Sequence, residues 1–135
     1  MKLLFNHVSS FSYHTTEKSK VGKDLGEGQK EGSMDDALLV KICSEESDSQ
    51  GVVTKTVEEI EDVAEDLGAE RLILFPWAHL SKDLAPPEVS RNRVEDIGEE
   101  LEESGYGVLQ VPFGWYKEWE LISKGHPMSV LSREV

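Results

Sequence analysis

The chain has 135 residues, 38% hydrophobic and 7% aromatic, enough for one domain with its own core and too few for two ordinary ones. Its 27 Asp and Glu against 14 Lys and Arg give a formal charge of −13. That balance argues against coating a phosphate backbone, which needs many cations to displace counterions, and leaves room only for small, local nucleic-acid contacts.

No apolar run approaches the ~20 residues needed to cross a bilayer. The opening Met1–Phe5 is too short for a signal peptide and reads as the start of a strand. The single cysteine, Cys43, precludes an internal disulfide and suits a reducing cytoplasm.

Residues 2–8 read as a buried strand. The Ser-, Gly-, Lys- and Glu-rich stretch from Ser9 to Ser33 opens on an alternating Phe11/Tyr13 pair, which predicts a strand or hairpin leading into a mobile polar loop around Gly22–Gly32. A second strand is expected over Ala37–Cys43, closed by the polar cluster Ser44–Gln50. Val57, Ile60, Val63, Ala64 and Leu67 recur at helical spacing, with Thr56-x-x-Glu59 as a candidate capping box and Gly68 as the stop. A second helix follows Pro86-Pro87, striped by Val89, Val94, Ile97 and Leu101 and ending at Ser104-Gly105. Short apolar strands follow each helix, at Arg71–Phe75 and Gly107–Val111, and Tyr116–Ile122 is expected to close the sheet. Strand–helix–strand order of this kind predicts a layered α/β domain spanning residues 1–135, with part of its sheet parallel. The chain is expected to be either a complete small protein or an excised first domain.

Familiar catalytic signatures are missing. His7, His14, His79 and His126 lie far apart with no cysteine cluster, so no zinc motif is present and no metal or other cofactor is expected. There is no P-loop, dinucleotide fingerprint or nucleophile elbow. Cys43, at the end of an apolar strand, reads as a packed small hydrophobe. The acidic runs Glu58–Asp62 and Glu99–Glu103 fall opposite the apolar helix stripes, where carboxylates are simply solvated. Trp77 and Trp119 read as packing residues, and His126 as a turn residue ahead of Pro127.

Two segments remain that concentrate aromatics, Gly, Pro, a Lys and a His at the ends of apolar runs, where sites are usually built. They are Phe75-Pro76-Trp77-Ala78-His79-Leu80-Ser81 and Pro112-Phe113-Gly114-Trp115-Tyr116-Lys117. With Met1-Lys2-Leu3-Leu4, His7, Asp83-Leu84-Ala85 and Lys124-Gly125-His126-Pro127, this pattern resembles the archaeal threonyl-tRNA synthetase editing domain over nearly the whole chain. The Ser9–Ser33 stretch diverges most.

The resemblance implies a D-aminoacyl-tRNA deacylase-like fold, a mixed sheet with two main helices, and homodimers. It implies hydrolysis of serine wrongly attached to threonine-specific tRNA, assisted by the 2′-hydroxyl of the terminal adenosine rather than by a protein nucleophile. The partner would be the aminoacylated 3′ end of tRNA(Thr), with a catalytic threonyl-tRNA synthetase domain in cis or in trans, in the cytoplasm and without a membrane.

On the same basis Lys117 would be the main polar side chain at the scissile ester, joined by Tyr116 and His79. Pro76, Ala78, Phe113 and Trp115 would line the amino-acid and adenosine pockets. Two departures stand out: Val130 occupies a position where the family usually carries a Glu near the site, and Val8-Ser9 replaces the usual polar pair after the strand-one His. Two other readings are a broader D-aminoacyl-tRNA deacylase and a non-catalytic module that docks acceptor ends or holds a dimer together.

The chemistry suits such a site. A pocket can use one methyl group for only about 1–3 kcal/mol, a limit general to aminoacyl-tRNA synthetases rather than obtained from this chain. A second site that sterically rejects the methyl needs rigid, close walls. Proline fixes φ and alanine permits close approach, as at Pro76 and Ala78.

Overall fold

The computed structural model describes residues 1–135. Six strands and two helices follow in the order β1 (Lys2–Lys18), β2 (Glu31–Cys43), α1 (Val52–Leu67), β3 (Arg71–Pro76), α2 (Pro87–Glu103), β4 (Gly107–Gln110), β5 (Trp115–Ser123) and β6 (Val130–Glu134). One mixed sheet is ordered β4-β3-β2-β1-β5, with β6 also on β1. The β2–β3 and β3–β4 pairs are parallel, while β1 runs antiparallel to β2, β5 and β6. The expected α/β class, mixed sheet and two main helices are all present.

The helices cover one face. Leu38, Val40 and Ile42 of β2, Leu72 and Leu74 of β3, and Leu3 and Phe5 of β1 pack against Ile60, Val63, Ile97 and Leu101. Because strand side chains alternate, Leu39, Ile73, Phe75, Phe11 and Tyr13 form a second core on the opposite face. Gly68 ends α1 in the left-handed conformation at φ 67°, as its position after the apolar stripe predicts.

Several expectations need correction. Helix α1 begins at Val52, so Thr56 is not an N-cap; it is fully buried inside the helix and its hydroxyl donates to the Met1 sulfur at 3.2 Å. Val89 is exposed and Arg91 is the buried member of that helix turn. Strand β1 continues unbroken to Lys18 rather than ending near residue 8, and β6 had no sequence signal.

The polar stretch between β1 and β2, expected to be mobile around Gly22–Gly32, is tied down. Both the backbone N–H and the hydroxyl of Ser19 donate to the Gly114 carbonyl, at 2.9 and 2.6 Å. The Arg91 guanidinium donates to Val21 O while pairing with Glu88 at 2.6 Å. The Trp115 indole N–H donates to Lys23 O at 2.8 Å. At its centre Gly22 and Gly114 touch backbone to backbone. A Cβ on Gly22 would stand 2.5 Å from the Gly114 oxygen, and one on Gly114 would stand 2.7 Å from the Gly22 Cα.

The sheet curls strongly. Strands β3 and β5 are separated in the sheet by β2 and β1, three spacings of about 4.8 Å each. Yet the Phe75 and Trp119 rings lie 5.3 Å apart. Only folding β5 back over the second core allows that. The register slips between Val8 and Ser10 and again between Thr15 and Glu17 against β5, and Asp36 takes a positive φ of 50°. Bulges of this kind bend a strand and raise its twist.

At the other end of β1, the half-buried imidazole pair His7–His126 pins the Lys124–Ser129 turn. His7 Nδ1 and His126 Nε2 are 2.9 Å apart, and His126 Nδ1 accepts from the Met128 backbone N–H. That acceptor role leaves Nε2 as the donor to His7. Burial, aided by the Lys124 charge, lowers the His7 pKa below the ordinary 6.5. The unfolded chain therefore takes up a proton near pH 6.5 while the folded chain does not. Stability is complete above that value and falls as the pH drops through it, by at most about 1.4 kcal/mol per pH unit. Melting temperatures read by circular dichroism from pH 7.5 to 5.5 should fall in the wild type, with a shallower slope in His7→Gln.

Candidate active site

The carboxyl ends of the parallel strands β2, β3 and β4 point toward one end of the sheet, the position where open α/β sheets form crevices. There, β2 ends at Cys43 and Ser44, β3 at Phe75 and Pro76, and β4 runs into Val111 and Pro112. The first turns of α2, with Pro87 and Ser90, and the curled strand β5 close a cavity of about 460 Å³.

Every sequence-predicted site residue lies on this cavity. Pro76, Ala78 and His79 come from the end of β3 and the short 3-10 turn Ala78–Leu80; Phe113, Trp115, Tyr116 and Lys117 come from the β4–β5 connection and the start of β5. The two segments, more than thirty residues apart in the chain, face each other because β5 folds over the sheet. Trp77 N–H donates to Ile42 O at 2.8 Å, continuing the β2–β3 pairing past Pro76 and fixing the approach to the turn.

The Lys117 ammonium lies 5.2 Å from the Phe75 ring centroid and has no carboxylate or hydrogen-bond partner, and burial lowers its pKa below the ordinary 10.5. Such a cation is partly stripped of water and free to meet a ligand. Tyr116 is 62% exposed, which places its ring at the mouth rather than the floor. His79 is exposed, its ring edge-on to Trp77 at 5.6 Å. Phe113 is capped by the Arg91 guanidinium at 5.1 Å, and Trp115 is anchored through its bond to Lys23 O. Both aromatics are thus walls held from behind.

Sequence reasoning assigned Trp77 and Trp119 to packing alone. Both also line the cavity, 5.9 Å apart and edge-to-face, each in a similar arrangement with Phe75. The two-residue strand period could have flagged Trp119, which shares a face with Lys117. Cys43 is buried and its thiol is pushed up by burial, consistent with a packing role. Val130 sits on β6, paired with Asn6, and is not a wall of this cavity.

A walled apolar cleft with one desolvated cation and no acidic cluster can bind and polarise an ester or anion, and holds no base–nucleophile pair for covalent catalysis. Its walls are close and aromatic, suited to a small substituent and a nucleobase.

Known proteins match in sequence and in shape. A threonine–tRNA ligase from Methanopyrus kandleri is 41% identical over 138 residues, covering 100% of this chain and 22% of the relative. Those of Thermococcus gammatolerans and Methanocaldococcus jannaschii are each 40% identical, again over all of this chain and 22% of the relative. The chain thus spans about a fifth of these relatives. Among solved structures, the c-Myc DNA Unwinding Element Binding Protein superposes with a TM-score of 0.76 at 15% identity, covering 100% of this chain and 99% of the other, a likeness of fold alone. The family model described as the archaea-specific editing domain of threonyl-tRNA synthetase matches residues 1–135, and the chain belongs to that family.

Proposed function

We propose that this domain removes serine from mischarged threonine-specific tRNA by hydrolysing the aminoacyl ester, with the 2′-hydroxyl of the terminal adenosine orienting the attacking water. The observation that carries the reading is the meeting of the Pro76–His79 turn and the Tyr116–Lys117 strand on one cavity, with an unpaired, desolvated ammonium in its wall.

An aminoacyl ester is already activated, so the protein need only position it and stabilise developing negative charge. The Lys117 ammonium supplies the positive charge opposite it. Pro76 and Ala78 form the close wall that leaves no room for threonine's methyl, and His79 and Tyr116 flank the ester and the ribose. Phe113 and Trp115 hold the adenosine. The reaction needs no cofactor. The partner is the acceptor end of tRNA(Thr), delivered by a catalytic synthetase domain in cis or in trans in the cytoplasm; the domain itself pairs with a second copy.

Seryl-tRNA(Thr) and threonyl-tRNA(Thr) incubated separately with the domain test the reading. Serine should be released at least tenfold faster than threonine, and a 2′-deoxy terminal adenosine should abolish release. Equal persistence of both esters would refute the assignment. A rate set by chirality across many side chains would instead favour a general D-aminoacyl ester hydrolase. Tight binding of a non-hydrolysable seryl-adenosine analogue without turnover of the ester would mark a docking module.

A further inference from the structure

Strand β2 carries a lysine in the middle of an apolar run, Ala37-Leu38-Leu39-Val40-Lys41-Ile42-Cys43. Lys41 shares the sheet face of Leu39, and its register partner on β3 is Phe75. Its ammonium rests 4.2 Å from the Trp77 ring centroid and 4.8 Å from that of Trp119, two walls of the cavity. Phe75 joins those two rings, and Lys117 sits over Phe75. Two ammonium groups therefore meet one aromatic cluster.

Six of the other twelve Lys and Arg residues pair with a carboxylate. Lys18 pairs with Asp24, Lys23 and Arg91 with Glu88, Arg93 with Asp48, Lys124 with Asp36 and Arg133 with Glu59. Lys41 has no hydrogen bond and no ion pair. Like Lys117 it is half-buried, and they are the two lysines whose charge burial disfavours. In a chain with 27 acidic residues, a desolvated unpaired ammonium is costly unless something outside the chain completes it. Cation–π contact offsets part of that cost and leaves N–H donors free.

We infer that Lys41 binds the phosphodiester joining the last two nucleotides of the substrate, while Trp119 offers its ring to the penultimate base. The inference rests on the editing reading above and extends it from the terminal adenosine to the adjoining nucleotide. With Lys117 at the ester, only the ribose of that adenosine separates the reacting group from its 5′ phosphate, so a second cation on the same aromatic cluster is placed to meet the next anion along the strand. Stacking of a single-stranded base on an aromatic side chain beside a cation is the usual way proteins hold such strands.

The seryl esters of adenosine and of the dinucleotide cytidylyl-adenosine differ in this phosphate and the base beyond it. Wild-type kcat/KM should favour the dinucleotide ester by about tenfold, the order of a charge-assisted hydrogen bond. Lys41→Met and Lys41→Gln should bring the ratio of the two efficiencies close to one, and Lys41→Arg should restore it. Taking the ratio cancels any general loss from disturbing Trp77 and Trp119. In the wild type this ratio should fall as salt concentration rises, because screening weakens the contact with the single phosphate. A wild-type ratio of one, or a ratio that survives Lys41→Met and Lys41→Gln, overturns the inference while leaving the editing reading intact. Failure of the wild type to hydrolyse either ester overturns the editing reading itself, and the inference with it.

Discussion

Replacing Lys117 by Met is expected to slow serine release roughly 10²- to 10³-fold, the usual effect of deleting one group that stabilises developing charge. Methionine keeps the length and the contact with Phe75, so far-UV circular dichroism and melting temperature should barely move. The wild-type rate should also show a high-pH limb. Desolvation pushes the Lys117 ammonium to lose its proton below the ordinary 10.5, so activity falls as the pH rises through that lowered value. The limb should vanish in Lys117→Met. An unchanged single-turnover rate in that variant would remove Lys117 from the reaction.

The second large effect is expected at Gly114. Its φ of +75° is strained for any residue with a side chain, and an added methyl would collide with the Gly22 backbone, which has no flexible end to yield. Gly114→Ala should cost on the order of 2–4 kcal/mol, strain and overpacking together, and lower Tm by roughly 10 °C. Because Gly114 lies between Phe113 and Lys117, serine release should also fall by tenfold or more at temperatures where the variant stays folded. Gly22→Ala meets the same contact from the β1–β2 connection and should act in the same direction. Thermal melts of both variants, and single-turnover rates below their midpoints, check this; wild-type stability in Gly114→Ala would show that the crossing is looser than the contact distances indicate.

The two helices and the parallel strands were readable because their signals are local. Apolar spacing, a proline at the start of α2 and a left-handed glycine after α1 each act within a few residues. The extension of β1 to Lys18 was not, since all but Phe11 and Tyr13 of the residues from Ser9 to Glu17 are polar. Its alternation of Phe11 and Tyr13 against solvent-facing neighbours fits a strand but does not fix its length. Strand β6 is an edge strand with mostly exposed side chains, so it carries little hydrophobic pattern.

The site was legible in its two loops, where Gly, Pro and aromatics mark strand ends and where the family likeness lies. Lys41 and the double role of Trp77 and Trp119 were hidden. Their meeting depends on β5 crossing back over β3, a three-dimensional event with no counterpart in spacing. Arg91 was missed for a related reason: its guanidinium is buried only because a loop from the other end of the chain lies over it.

The bend that brings the two walls together originates in the long β1–β2 ribbon, at the slip beside Ser9 and the left-handed turn of Asp36, and neither residue lines the cavity. The distance between the lysine and the proline-rich rim is therefore set by a lever whose fulcrum stands apart from both. Altering the fulcrum would change how closely the two walls approach while leaving every residue that lines the cavity untouched.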